Sequence, residues 1–379
     1  MRWILITLLS IGASAQDLAD QIRSAQSSGN YGEAAKLYLQ LIAAGTDTPE
    51  VRSNCGIMLH LAGKNREAME QFQIALHQKP TLAGANLFAG LTKLDLGEPK
   101  LAMSYLKRAQ ESDPGQAAPL LALGKAHVML REYGLAHESY AKAATIDPRQ
   151  AEAWYGVGVT DRSLAEELLN RAARNGGMDQ STKERVQELL DGALKALTRA
   201  IDLDPDSARA HLIMAESLAD AGKLAEAVPE YQIAMKLDPR LEAAYLGLAT
   251  QYWKERQFDQ ALPLLKHVLL NSPKDPEANG MLADILQHNG DNTGAQRHAE
   301  IALAGNSSLI ETRVVLARVY VARQESKRAI AELQKVIATD PDGSYHFLLY
   351  RAYRQAGDEQ AAKTALAEFQ QLRNSSVKR

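Results

Sequence analysis

Along residues 117–150, apolar and small side chains return at helical intervals. Leu120, Leu123, Gly124 and His127 share one stripe, Ala136, Tyr140 and Ala143 share a second, and Pro148 closes the segment. Spacings of i, i+3, i+4, i+7 and then i, i+4, i+7 predict two amphipathic helices joined by a short turn, each about 12–14 residues or ~20 Å long. The pattern then repeats. Proline stands at Pro80, Pro114 and Pro148, then at Pro205, Pro239 and Pro273, always 34 residues apart within each trio. Between Pro148 and Pro205 the interval is 57, which is 23 residues longer than the rest.

Other positions keep the same interval. Alanine recurs at Ala68, Ala102, Ala136, Ala193, Ala227, Ala261, Ala295 and Ala329, where the second helix of each pair must lie close to the first. Gly63, Gly97, Gly222, Gly290 and Gly357 follow the first helix, at the point where a left-handed cap favours a residue without Cβ. The Asp–Pro pairs beginning at Asp113, Asp147, Asp204, Asp238 and Asp340 stop the second helix, because the residue before proline is pushed out of the α region. A single helical pair cannot bury its apolar stripe, whereas stacked pairs share one core.

This pattern resembles the tetratricopeptide repeat, in which a large residue, Leu, Gly and an aromatic are followed by Ala, an aromatic, Ala and Pro over 34 residues. The phrase "AEAWYGVG" at 151–158 carries it best, with Trp154, Val157 and Gly158 in the family's positions. Units begin near residues 15, 49, 83, 117, 151, 208, 242, 276, 310 and 343, and together they run over 16–376 with a short tail at 377–379. The first unit is degenerate, the eighth has Ser307 in place of proline, and the last is shifted by one residue. The resemblance implies an all-α fold: a right-handed superhelical solenoid of about ten helix-turn-helix repeats, with first helices lining a concave groove.

The 23 extra residues fall between the two helices of the fifth unit, 151–207, at about 164–190. Leu164, Leu168 and Leu169 continue the first helix, while Val186, Leu189 and Leu190 begin the second early. "NGG" at 175–177 is a turn signal, and Asp179 or Ser181 can cap the helix that follows. Two helices each longer by about 11 residues, or ~16 Å, are therefore expected as a helical hairpin. Its mixed charges make it either a self-packed decoration or an arm for docking or dimerisation.

Composition changes the picture mainly at the N-terminus. "MRWILITLLSIGASAQ" has one positive charge at Arg2, an apolar run from Trp3 to Ile11, and small residues at Ala13 and Ala15. Nine apolar residues are too few to span a bilayer as a helix, which takes about 20. The segment reads as a cleavable export signal, residues 1–15, cut after Ala15. A periplasmic or secreted location follows as an expectation, with an unprocessed anchor as the alternative. No later apolar stretch reaches spanning length, so stable membrane insertion is not expected after cleavage. The net charge of −3 gives no electrostatic case for nucleic acid. The only cysteine, Cys55, has no intramolecular disulfide partner.

No catalytic constellation appears, and neither a cofactor nor a metal is expected. The nine histidines contain no i, i+4 pair and no "HExxH"; "GVG" at 156–158 has neither a preceding strand nor a third glycine. His127 reads as a packed core residue. The family's concave positions, carried onto this chain, are Leu87 and Leu91; Leu121, Lys125 and Val128; Tyr155, Val159 and Arg162; Leu212 and Glu216; Leu246, Thr250 and Trp253; and Arg351 and Arg354 in the last unit. An apolar surface with a few charges suits an extended or helical peptide. The lysine–asparagine, asparagine, lysine–arginine set with which some family members hold a terminal carboxylate is absent from any three adjacent units. The expected function is a non-enzymatic scaffold for protein or peptide partners. The alternative is a glycan-binding or export-system component that uses Tyr155, Tyr245, Tyr252 and Trp253 as stacking platforms.

Overall fold

The computed structural model describes residues 13–174 and 177–376. The expected export signal rests on residues 1–12, outside that range, as do the tail at 377–379 and two residues of the hairpin turn, Asn175 and Gly176. Among the described residues there are twenty α-helices, one 3-10 turn and no strand. They form two compact units, Met1–Ala221 and Gly222–Arg379, so the division falls in the turn inside the sixth predicted repeat.

The first unit contains α1 (Ala13–Ser27) and α2 (Tyr31–Ala43), α3 (Pro49–Leu61) and α4 (Asn65–Gln78), α5 (Ala83–Asp95) and α6 (Pro99–Ser112), α7 (Ala118–Met129) and α8 (Tyr133–Ile146), α9 (Ala151–Arg174) and α10 (Gln180–Leu203), and α11 (Ala208–Asp220). Consecutive helices pack together. From α3 onward each odd-numbered helix also touches the next odd-numbered one, and the even-numbered helices make no comparable contact with each other. The odd helices therefore form the inner layer of this unit. The predicted alanines Ala68, Ala102, Ala136 and Ala193 are 0% exposed.

Inner and outer helices approach so closely because the inner helices carry glycine at one position per repeat. A Cβ on Gly56 would stand 2.6 Å from Phe72, on Gly90 2.4 Å from Leu106, on Gly124 2.7 Å from Tyr140, and on Gly158 2.5 Å from Leu197. Each large side chain fills the space the glycine leaves. Burying one such side chain stabilises by roughly 1.5–3 kcal/mol.

The fifth repeat matches its expectation. Helices α9 and α10 have 24 residues each, against 12 to 14 in α2 to α8. Asp179 is the cap: its side chain accepts from the Thr182 N–H at 2.7 Å. Ala165, Val186, Leu189 and Leu190 are buried, with Leu164, Leu168 and Leu169 packed against them, so the hairpin has a core of its own.

The second unit contains α12 (Leu224–Leu237), α13 (Glu242–Lys254) and α14 (Phe258–Asn271), α15 (Pro276–His288) and α16 (Asn292–Gly305), α17 (Ile310–Ala322) and α18 (Ser326–Gln334), and α19 (Ser344–Ala356) and α20 (Glu359–Ser376). From α13 onward the odd helices again contact one another. Ala227, Ala261, Ala295 and Ala329 are 0% exposed. Where the first unit has glycine on the inner helix, this unit has Ala249, Ala283 and Ala317, all fully buried. Pro229 lies inside α12 and Pro263 inside α14, both on the exposed side and 34 residues apart.

The ninth repeat departs from a plain helix pair. Helix α18 has nine residues and is followed by a 3-10 turn, Ile337–Thr339. That repeat is one residue short of the interval. A 3-10 turn rises about 2.0 Å per residue against 1.5 Å in an α-helix, which recovers length for the shortened segment.

Two devices hold the phase in both units. The residue after most inner helices is left-handed: φ is +75° at Gly63, +74° at Gly97 and +85° at Gly290, and where glycine is missing the same φ falls on Arg131 (+58°), Arg256 (+58°) and Gln324 (+63°). In addition, the fourth residue of several repeats donates to the carbonyl six residues earlier, in the preceding turn. Asn86 reaches Pro80 O at 2.8 Å, Trp154 reaches Pro148 O at 3.0 Å, and His211 Nε2 reaches Pro205 O at 3.1 Å. Asn279 reaches Pro273 O at 3.1 Å, and Arg313 reaches Ser307 O at 2.7 Å.

Candidate functional site

The inner face of the first unit holds a cavity of about 380 Å³. Lys125 comes to it from α7, Glu152 and Tyr155 from α9, and Arg209 from α11, with Asp204 and Ser207 on the connecting turn. Of the residues expected in a groove, it brings together Lys125 and Tyr155. Among the described residues neither Lys125 nor Arg209 has a carboxylate partner, and the hydroxyl of Tyr155 has no hydrogen bond. Burial pushes the Tyr155 phenol above its usual range, so it is a neutral donor at physiological pH.

Tyr140 also lines this cavity, although it belongs to the outer helix α8. Its ring passes between two inner helices: a Cβ on Gly124 would touch it at 2.7 Å from one side and a Cβ on Gly156 at 2.4 Å from the other. The residue is 8% exposed, and its hydroxyl has no protein partner among the described residues. Burial, followed by the nearby Glu152 charge, drives its pKa up. The repeat pattern marked Tyr140 as core, since no local signal reveals a ring threaded between two neighbouring repeats.

Further along the same inner face, Arg162 pairs with Glu216 at 2.9 Å and with Asp220 at 2.8 Å. Burial raises the Glu216 carboxyl, and the Arg162 guanidinium opposes that shift. These two expected groove residues therefore satisfy each other. Leu87, Leu91 and Val128 are half-buried against the core, and Val159 is half-buried. Leu121 and Leu212 are only 7% exposed. They support the wall and offer no open pocket, because their side chains fall at the border of the apolar stripe.

In the second unit a smaller cavity, about 160 Å³, is bounded by Trp253, Arg256, Asp284, Val314, Arg318 and Tyr345, among others. The Trp253 indole N–H donates to buried Asp284 at 2.9 Å. Arg318 stands 3.4 Å and Arg256 4.0 Å from the same carboxylate. Leu246 packs against the core, and the Thr250 hydroxyl donates to the Leu246 carbonyl at 2.7 Å. Arg351 and Arg354 are exposed, and Arg354 donates to the Tyr350 hydroxyl at 3.2 Å. Asp284 and Arg318 were missed by sequence reasoning, although they follow Thr250 at the 34-residue interval. Of the aromatics considered as stacking platforms, Tyr245 has a face covered by His267 at 3.8 Å, and Tyr252 packs against the core.

The remaining candidates carry no chemistry. Burial raises the Cys55 thiol to about 12, so it is a small core residue without nucleophilic character. His127 is buried, with Nδ1 2.7 Å from Glu132. Among the described residues no cluster of three or more His, Cys, Asp or Glu is arranged to hold a metal, and no helix is long and apolar enough to cross a membrane.

Two tetratricopeptide repeat profiles match the chain, one at residues 19–83, 87–151 and 178–241, the other at 218–285 and 252–304. Together they cover most of it. The chain belongs to the tetratricopeptide repeat family. Its similarity to individual proteins is low. It is 22% identical over 348 residues to the human protein O-mannosyl-transferase TMTC3, covering 83% of this chain but only 38% of that protein. It is 21% identical over 294 residues to the TPR repeat-containing protein YpiA of Bacillus subtilis, covering 73% of this chain and 69% of that one. Among solved structures, pilF of Pseudomonas aeruginosa superimposes with a TM-score of 0.50 at 20% identity, covering 61% of this chain and 95% of pilF. That likeness agrees with the fold, and the repeat family accounts for helix pairs without a catalytic domain.

Proposed function

We propose that this tetratricopeptide repeat chain is a non-enzymatic scaffold that holds polypeptide segments of partner proteins on its inner faces, in the periplasm or outside the cell. The observation that carries the reading is the first unit's cavity. Side chains from three successive inner helices converge there, with Lys125, Arg209, Tyr140 and Tyr155 lacking protein partners. A cavity of that size admits a side chain or a chain end of a peptide rather than a whole cofactor, and pockets repeated along an inner layer suit an extended ligand. Glycan capture is the weaker reading, because Tyr245 and Trp253 are already engaged by His267 and Asp284. In this reading the hairpin of α9 and α10 is a docking arm whose exposed sides carry mixed charge.

Photo-crosslinking side chains at Val128 and Val159 on the inner face, and at Lys183 on the hairpin, test this in cells. Polypeptide adducts from the inner-face probes are expected. Adducts from the hairpin probe alone would overturn the groove reading, and polysaccharide adducts would replace it. Export is tested separately: the exported fraction should begin at Gln16, and a chain that keeps Met1 in the cytoplasm would overturn that part.

A further inference from the structure

We infer that the first unit's cavity is a carboxylate receptor, in which a peptide carboxylate bridges Lys125 and Arg209 while the Tyr140 and Tyr155 hydroxyls donate to its oxygens. This rests on the peptide-scaffold reading and adds the chemical group that is recognised.

Four hydrogen-bonding groups face one space without protein partners, and all four can donate. Tyr140 is the telling one. A buried phenol ordinarily finds a partner, because leaving the hydroxyl unpaired costs stability that a phenylalanine in its place would not lose. The equivalent outer-helix positions are filled by Phe72, Leu106 and Leu197, which pack against inner-helix glycines without any polar atom. At Tyr140 alone in this set, the same packing carries a hydroxyl to the inner face. Gly124 and Gly156 flank its ring, so the donor is held in position before a ligand arrives.

The charges select the ligand further. Lys125 and Arg209 come from helices two apart in the chain, α7 and α11, with α9 between them. A carboxylate between them gains two charge-assisted contacts. Glu152 and Asp204 line the same cavity. They oppose a second negative charge and can accept an N–H, so the favoured group is a carboxylate with an amide N–H beside it. A peptide C-terminus and an aspartate side chain both have that form. The set differs from the lysine and asparagine clamp of some family members, since half of its donors are phenols.

The test selects a random dodecapeptide library with free C-termini against the full chain, then resynthesises the binders as free acids, as amides, and with internal aspartates replaced by asparagine. Loss of about tenfold in affinity on removing the carboxylate is expected, from the strength of hydrogen bonds to charged groups. Amidation and the asparagine replacement separate the two carboxylate sources. Lys125→Ala and Arg209→Ala should each weaken binding comparably. Tyr140→Phe, which deletes one oxygen and leaves the ring in its slot, should weaken it about threefold to tenfold with no loss of melting temperature. Binders indifferent to all carboxylate changes, or to Tyr140→Phe, overturn the receptor while leaving a peptide groove. A selection that yields no binder overturns both. Tighter capture of glucuronate than of N-acetyl-alanine moves the ligand to a glycan and also overturns it.

Discussion

The two units apply one repeat differently. In the first, inner helices carry Gly56, Gly90, Gly124 and Gly158, and the outer helices answer with Phe72, Leu106, Tyr140 and Leu197. In the second, Ala249, Ala283 and Ala317 occupy the corresponding position, and α12 and α14 contain prolines that no outer helix of the first unit has. Glycine lowers helix propensity but lets a large side chain pass close to the backbone. Alanine favours the helix and keeps the neighbours apart. The first unit thus gives up local helix stability for deep interlocking, and its open cavity lies where a ring crosses between repeats. In the second unit the inner face is occupied by its own contacts around Asp284.

The sharpest way to break this contrast is to exchange the residues. Gly156→Ala puts a Cβ 2.4 Å from the Tyr140 ring. Overpacking of that kind should destabilise the first unit by about 1–3 kcal/mol despite better helix propensity. Amide hydrogen exchange should report the loss around α8 and α9, and unchanged protection there would show that the ring has room to move. Next in size, Pro263→Ala restores a helical N–H on the exposed side of α14 and should stabilise the second unit by about 1–3 kcal/mol. A raised urea midpoint for that unit is the expected reading; no change would mean the helix already bends to absorb the proline.

Smaller effects sharpen the comparison. Gln324→Gly relieves a left-handed residue at +63° and should gain about 0.5–1 kcal/mol, the left-handed penalty less glycine's entropy. A thermal melt that falls would contradict it. The mildest effect depends on pH. His137 on α8 has Nδ1 2.7 Å from buried Asp161 on α9, an ion-pair contact without hydrogen-bond alignment. Asp161 raises the imidazole pKa above its usual 6.5, with Arg185 opposing and Glu138 assisting. The folded state therefore binds this proton more tightly. Its contribution is complete below the unfolded value and fades as pH rises through the folded one. The stability difference between the parent and His137→Gln should shrink from pH 5.5 to pH 8.5, and a constant difference would remove the ion pair from the account.

What was legible in the sequence was whatever depends on neighbouring residues in the chain. Helix pairing, the buried alanines, the left-handed glycines and the two lengthened helices with their Asp179 cap all follow from spacing and local capping chemistry. Leu121 and Leu212 were placed on an open groove because stripe membership is a matter of a few tens of degrees around a helix, which repeat spacing alone does not resolve. The Arg162 pairs with Glu216 and Asp220 join residues more than 50 positions apart, and the path of Tyr140 depends on glycines in two different repeats. Distances between repeats decide both, and no periodicity encodes them.

The bond from each repeat's fourth residue back to the turn before it has a consequence for how such a protein can change over time. An amide, an indole, an imidazole and a guanidinium all make it, at Asn86, Trp154, His211 and Arg313. The fastener between neighbouring modules is thus a geometry that several chemistries can fill. A lineage can drift through these side chains, erasing the letters by which one module resembles the next, while the seam stays closed.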